Sequence, residues 1–521
     1  MTNRCLATVA LALAALAATP AFAADEKFAI EETTIADIQR GFHEHRLTCH
    51  ALVQSYLDRI AAYNKQGPAI NAILTLNDKA LAKADALDAS YAKAGPVGPL
   101  HCVPIVLKDN YNTADLPTTG GSAALVGAQP AQDAFVVGKL RAAGAIVLAK
   151  TNMHELALAG NTVSSLGGQT LNPYDLTRTP GGSSGGTGAA LASNLALAGT
   201  GSDTVNSIRS PASANSLVGI RPTMGLLSRA GIMPVSETQD AIGPLARTVT
   251  DAAKMLQVMA GSDPADRITA ESAGKIPHSY TEFLKKDALK GARIGVLKVM
   301  FGAKPEHAEV NGVIAKAIDR MRKAGATIVE IDEPALDSDK LIAENDVQKY
   351  EFKALFNQYL ASIPNAPVKT LGDFIASGKF HKPSIEKFLT TAQGFENGTV
   401  EPDYKERLAR NARTRATLLG LLDQDKLDAI IYPLQKRLVV PVIEPSQTDR
   451  TGILASVTGT PVVTVQAGFS TPTKDAPIGI PVGMDMLGRP WSEGKLLGLA
   501  YSFEQATHAR RQPSVTPKLA M

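Results

Sequence analysis

Three cysteines and a net charge of +3 in 521 residues leave little with which to build a disulfide-knit scaffold or a basic binding face. A charge that small argues against nucleic acid or an anionic membrane surface as a partner. No internal repeat and no Gly/Ser- or Pro-rich linker divides the chain. A phosphate-binding loop is also missing, because the glycine run at 181–186 continues into Thr187-Gly188 and lacks the lysine such a loop needs. His43, His45, Cys49 and His50 lie close in sequence, but no second cluster with metal-site spacing accompanies them. Thr48 reads instead as the N-cap of a helix carrying Leu52, Val53, Tyr56, Leu57, Ile60 and Tyr63 at helical spacing. Neither a metal nor a cofactor is expected.

The apolar run near the N-terminus, residues 6–18, is too short to cross a bilayer comfortably. With Arg4 before it and Ala21-Phe22-Ala23 after it, it reads as a cleavable signal peptide over residues 1–23, cut after Ala23. The expected product is periplasmic or secreted, without a membrane anchor. Cys5 leaves with the signal. Cys49 and Cys102 remain in an oxidising compartment, which leads to the expectation of a disulfide between them, the alternative being two buried thiols.

What is present is the composition of a soluble globular protein, 45% hydrophobic and 20% charged. Helical and strand patterns alternate. A helix begins near Asp133 and stops at Gly144 before the strand 145–149; Val313, Ile314, Ile318 and Met321 mark another, ending near Gly325 before the strand 328–331. This predicts an α/β class, with a mostly parallel or mixed sheet. Residues 24–521 read as a single domain whose first and last thirds form one core. Residues 265–450 read as a variable, partly helical cap, with helical patterns dominating from about 340 to 422.

The candidate chemistry lies in three short segments. Lys108 ends the apolar run 102–107, which reads as a strand covered on both faces. Taking an ammonium out of water lowers its pKa and leaves an amine able to accept a proton. The run Gly181-Gly182-Ser183-Ser184-Gly185-Gly186 permits tight turns that hold a hydroxyl in place. Ser207 follows within a stretch of small and polar residues whose N–H groups suit an oxyanion. Alone, the glycine run also fits a flexible linker, or a nucleophile elbow centred on Ser184. An elbow must follow an apolar strand, whereas residues 172–180 are polar and bounded by prolines.

Taken in order, these segments resemble the amidase signature family. Leu107-Lys108-Asp109-Asn110 matches its lysine motif, residues 181–186 its serine-glycine motif and residues 203–211 its nucleophile segment. The similarity continues through 217–223 and 243–249 and resumes at Gly459-Thr460-Pro461, at 481–491 and at Glu504-Gln505-Ala506. The resemblance implies a large mixed sheet wrapped by helices. It also implies Lys108 as base, Ser183 as relay behind a cis Gly182-Ser183 peptide, and Ser207 as nucleophile, with Thr204, Val205 and Asn206 around the oxyanion and substrate. Val205-Asn206 replaces the family's usual pair of glycines, so a reshaped oxyanion hole and a narrower acyl pocket are expected. Arg209 reads either as a grip on substrate or as a tie to Asp203, and stays outside the catalytic set.

The implied reaction is hydrolysis of a linear carboxylic amide through a Ser207 acyl-enzyme, releasing ammonia or an amine. The substrate would be a small amide or an amidated peptide, as in exported bacterial amidases and peptide amidases. The alternatives are an esterase or carbamate hydrolase on the same triad, or a binding protein that keeps the fold without the chemistry.

Overall fold

The computed structural model describes residues 28–519; the signal-peptide reading lies outside them. Among the described residues, eleven strands form one mixed sheet. From one edge their order is Ile73–Leu76, Ile146–Thr151, Pro104–Lys108, Ala198–Asp203, Ala241–Ala246, Val218–Arg221, Val462–Phe469, Pro481–Leu487, Ala429–Pro433, Arg293–Leu297 and Thr327–Ile331. The strand before Lys108 is buried along its length and lies parallel to both of its neighbours. That is the environment its run of apolar residues requires. Both expected helix-strand pairs form, as Phe135–Ala142 with Ile146–Thr151 and Ala308–Lys323 with Thr327–Ile331.

The stretch 265–450 does more than cap. Its strands Arg293–Leu297, Thr327–Ile331 and Ala429–Pro433 complete one edge of the sheet. Its helices Gln348–Ser362, Leu371–Ser377 and Lys382–Gln393 carry an aromatic core of their own. Phe352 stacks on Phe356 with centroids 5.2 Å apart, and Phe374 meets Phe356 edge-on at 5.6 Å. This cluster also takes in Met153, Leu156, Met233 and Val235 from segments rooted in the sheet. Burying these side chains fastens the helices to the core, at about 1.5–3 kcal/mol for each one fully buried. Polar contacts fix the register. Glu351 accepts from Thr238 Oγ1 at 3.0 Å and from the Tyr404 hydroxyl at 2.8 Å; the Tyr359 hydroxyl donates to Asn112 at 2.7 Å; the His381 N–H donates to Glu155 at 2.9 Å.

Thr48 caps the helix Cys49–Tyr63, its side chain accepting the Ala51 N–H. Cys49 and Cys102 are joined by a disulfide with Cα atoms 5.6 Å apart. The bond ties the start of that helix to the residues just ahead of the strand Pro104–Lys108. His50 turns outward to Asp85 at 2.7 Å.

Candidate active site

Two adjacent parallel strands, Pro104–Lys108 and Ala198–Asp203, end side by side. The region beyond the carboxyl ends of parallel strands is where α/β sheets gather their functional groups. Lys108 is fully buried. Its Nζ lies 2.7 Å from Ser183 Oγ, 2.9 Å from Ser202 Oγ and 3.4 Å from the Ser202 carbonyl. Asn110 Nδ2 donates to the same Ser202 hydroxyl at 3.0 Å. Burial pulls the Lys108 pKa down to about 7, against the opposing pull of Asp203 and Asp240. When the amine is neutral, Ser202 offers two acceptors for its N–H groups, which leaves the lone pair for Ser183.

The glycine-rich loop sits where side chains have no room. A Cβ on Gly186 would stand 2.1 Å from the Asn152 carbonyl oxygen, and Gly181 has φ +70°. The Gly182-Ser183 peptide is cis. Hydrogen bonds stitch the loop in place, among them Ser184 N–H to the Ser207 carbonyl at 3.2 Å, Gly182 N–H to Ser210 Oγ at 3.4 Å, and His154 N–H to the Ser183 carbonyl at 2.9 Å. Ser184 occupies the N-cap position of the helix Gly185–Ala192, with its hydroxyl turned to the Ser202 carbonyl. Among the described residues no strand leads into it, so the elbow geometry is absent.

Ser207 keeps 7% of its surface exposed, while Lys108 and Ser183 keep none. Solvent therefore reaches the three from the Ser207 side. The Ser207 hydroxyl has no hydrogen-bond partner among the described residues, so its link to Ser183 is open in this rotamer. Among the described residues, no acceptor takes the backbone N–H of Thr204, Val205, Asn206 or Ser207.

Neither Val205 nor Asn206 needs a glycine's backbone, since both have negative φ. The Val205 side chain enters an apolar cluster with Ile453, Leu454 and Val457. Its carbonyl accepts from Arg209 Nη2 at 2.5 Å and Ser456 Oγ at 2.9 Å. The bulk that replaces glycine is thus directed into the core, not into the space above Ser207, and the expected narrowing does not come from Val205. Asn206 lies against Gly452, and its Nδ2 is buried without a partner among the described residues. Thr204 donates to Asp240 at 2.6 Å.

Arg209 is a tie. It is fully buried, with Asp203 at 3.1 Å and Asp485 at 2.9 Å, and Arg221 approaches Asp203 at 2.9 Å. Burial would raise the Asp203 pKa, but Arg209 and Arg221 outweigh it and hold the carboxyl at about 2. This network fixes the turn that carries Ser207, since Asp203 also accepts the Ile208 N–H at 3.0 Å.

Three neighbours of the site were not singled out from the sequence. Ser202 and Asn110 lie inside the quoted motifs or beside them, where an adjacent hydroxyl and amide were the available signal. His154 had none. Its Nδ1 accepts the Asn161 N–H at 3.3 Å, so the proton sits on Nε2. Burial, then His381, Lys108 and Arg450, lower its pKa to about 3, and it stays neutral. A cavity of about 470 Å³ between residues 229–242 and the helix Gln348–Ser362 ends on Ser202 and Thr204.

The sequence as a whole agrees with this geometry. The Amidase family model matches residues 51–497. The chain belongs to the amidase signature family. As an amidase-family chain it is 35% identical over 514 residues to a probable amidase of Arabidopsis thaliana, with 93% of this chain and 92% of the relative aligned. It is 32% identical over 492 residues to the A component of the glutamyl-tRNA(Gln) amidotransferase of Alkaliphilus metalliredigens, covering 91% of this chain and 96% of that one. Among solved structures, the native peptide amidase of Stenotrophomonas maltophilia superposes with a TM-score of 0.84 at 36% identity, over 93% of this chain and 99% of the other. Membership implies amide hydrolysis, and the mixed sheet with its surrounding helices is the family's fold.

Proposed function

We propose that this protein is an exported amidase that cleaves a linear carboxylic amide through an acyl-enzyme on Ser207. The observation that carries the reading is the fully buried Lys108, its Nζ 2.7 Å from Ser183 Oγ and its pKa near neutrality. In this reading the Ser207 hydroxyl turns to Ser183 when substrate is bound. Neutral Lys108 takes the proton of Ser183 as Ser183 takes that of Ser207, and Ser207 Oγ bonds to the amide carbon. The unpaired N–H groups of residues 204–207 are the donors available to the oxygen that gains charge. As the C–N bond breaks, the proton returns through Ser183 to the leaving nitrogen. Water then repeats the sequence on the ester to release the acid.

Similarity to a peptide amidase favours small amides and amidated peptides as substrates. The amidotransferase A components are also relatives, and the signal peptide read at residues 1–23 is what sets this chain apart from a tRNA-linked enzyme. Treatment with a fluorophosphonate followed by peptide mapping tests the nucleophile. Label on Ser207 and ammonia release from amides are expected; no label and no turnover would leave a binding protein of the same fold. Matched amide and ester substrates separate an amidase from an esterase or carbamate hydrolase.

A further inference from the structure

Arg450 is a guanidinium without a counter-ion. It is half-buried, and among the described residues its guanidinium forms no hydrogen bond and no ion pair. Most arginines this enclosed are paired, as Arg209, Arg221 and Arg229 are here. Burial lowers its pKa and Asp346 pulls the other way, yet that carboxylate stays beyond ion-pair reach. An unpaired guanidinium keeps its fork of donors free for oxygen acceptors.

Its position follows from the glycines around it. Arg450 Nη1 lies 3.9 Å from where a Cβ on Gly160 would stand, and the Gly160 carbonyl is 2.8 Å from the corresponding point on Gly182, the residue before Ser183. Two residues along the chain from Arg450, Gly452 packs so tightly on the nucleophile segment that a Cβ there would fall 2.5 Å from Asn206 Cβ. One short segment therefore touches the nucleophile stretch at Gly452 and approaches the relay loop through Gly160, with Arg450 on it. His154, bonded to the Ser183 carbonyl, feels both Lys108 and Arg450. The cavity described above reaches the same neighbourhood at Ser202 and Thr204.

We propose that Arg450 is a specificity-determining residue that binds a second oxygen acceptor in the acyl part of the substrate, a carboxylate or an amide carbonyl a few bonds from the scissile carbon. This rests on the acyl-enzyme reading above. The test compares three amides of similar length: pentanamide, N-acetylglycinamide and the monoamide of glutaric acid. The wild-type protein is expected to favour at least one acceptor-bearing amide over pentanamide by about 10-fold or more in kcat/KM. Arg450→Met should collapse that preference by about 10- to 100-fold, the range of a charge-assisted hydrogen bond, chiefly through KM. Arg450→Lys should restore part of it. Whether the larger loss falls on N-acetylglycinamide or on the glutaric monoamide identifies carbonyl or carboxylate as the group recognised.

A second readout does not depend on turnover. N-acetylglycine or glutarate should raise the Tm of the Ser207→Ala protein more than pentanoate does, and the added Arg450→Met change should remove the difference. An equal loss on all three amides, or no loss, with the thermal midpoint of Arg450→Met unchanged, overturns the proposal. If no amide is turned over but the acids still discriminate through Arg450, the binding inference stands and the amidase reading falls.

Discussion

Among the described residues Lys108 has no carboxylate within ion-pair distance, and its amine faces two serine hydroxyls and a carbonyl. A group in that setting is governed by desolvation, and the consequence is measurable. Because the neutral form is the base, kcat/KM should climb as pH rises, reach half its plateau near about 7 and stay level above. A pH profile on a neutral amide checks this; a profile that falls through that range contradicts it. Ser207→Ala should abolish turnover and labelling, while Lys108→Ala and Ser183→Ala should each cost at least about 10²-fold in rate. Label transferred to Ser184 would assign the nucleophile differently. These residues were readable in the sequence because their motifs are contiguous. Ser202 was harder to see, since its role depends on which way a hydroxyl turns at the end of a strand. Arg450 was not readable, because it stands in a stretch without motifs and gains its meaning only where Gly160 and Gly452 bring distant segments together.

Between the strands Ala198–Asp203 and Pro481–Leu487, an arginine from the helix Arg209–Ala214 bridges two buried acids. The sequence permits the short-range half of that bridge, Asp203 to Arg209. It offers no hint of Asp485, which is 276 positions away. Removing one member of a buried ion network leaves the others unpaired in a medium that solvates charge poorly. Arg209→Met is therefore expected to destabilise the fold by about 3–5 kcal/mol in chemical denaturation. A loss below about 1 kcal/mol would mean the two acids find other partners, since exposed pairs contribute no more than that. Val205 teaches the complementary lesson. Read as sequence, valine for glycine means a crowded pocket; in the fold its side chain enters the cluster around Ile453 and Leu454. Periodicity and motif spacing do not say which way one residue of a loop will point.

Across the whole molecule, the disulfide and the middle region decide how the site is held. The alternation of helix and strand predicted an α/β sheet, and the chain forms one with eleven strands among the described residues. Within 265–450 it marked the strand at 328–331 but not those at 293–297 and 429–433, because such short apolar runs carry no sign of which sheet they join. Closing the 53-residue separation of Cys49 and Cys102 should stabilise the protein by about 4 kcal/mol in the chain-entropy model. Replacing both cysteines by serine is expected to lower the thermal midpoint, with the Ser207 label retained in whatever fraction stays folded. Thiol titration of the denatured, unreduced protein prepared without residues 1–23 should find no free thiol.

The gradient of exposure across the triad, 7% at Ser207 and none at Ser183 or Lys108, also sets an order of encounter for reagents arriving from solution. An amine-directed acylating agent applied to the native enzyme would modify the many surface lysines first, although near neutral pH Lys108 holds the larger share of uncharged amine. Quantitative mass spectrometry of such a footprint should therefore find Lys108 among the least modified lysines despite its partly neutral amine. Modification there should appear only after the fold has opened.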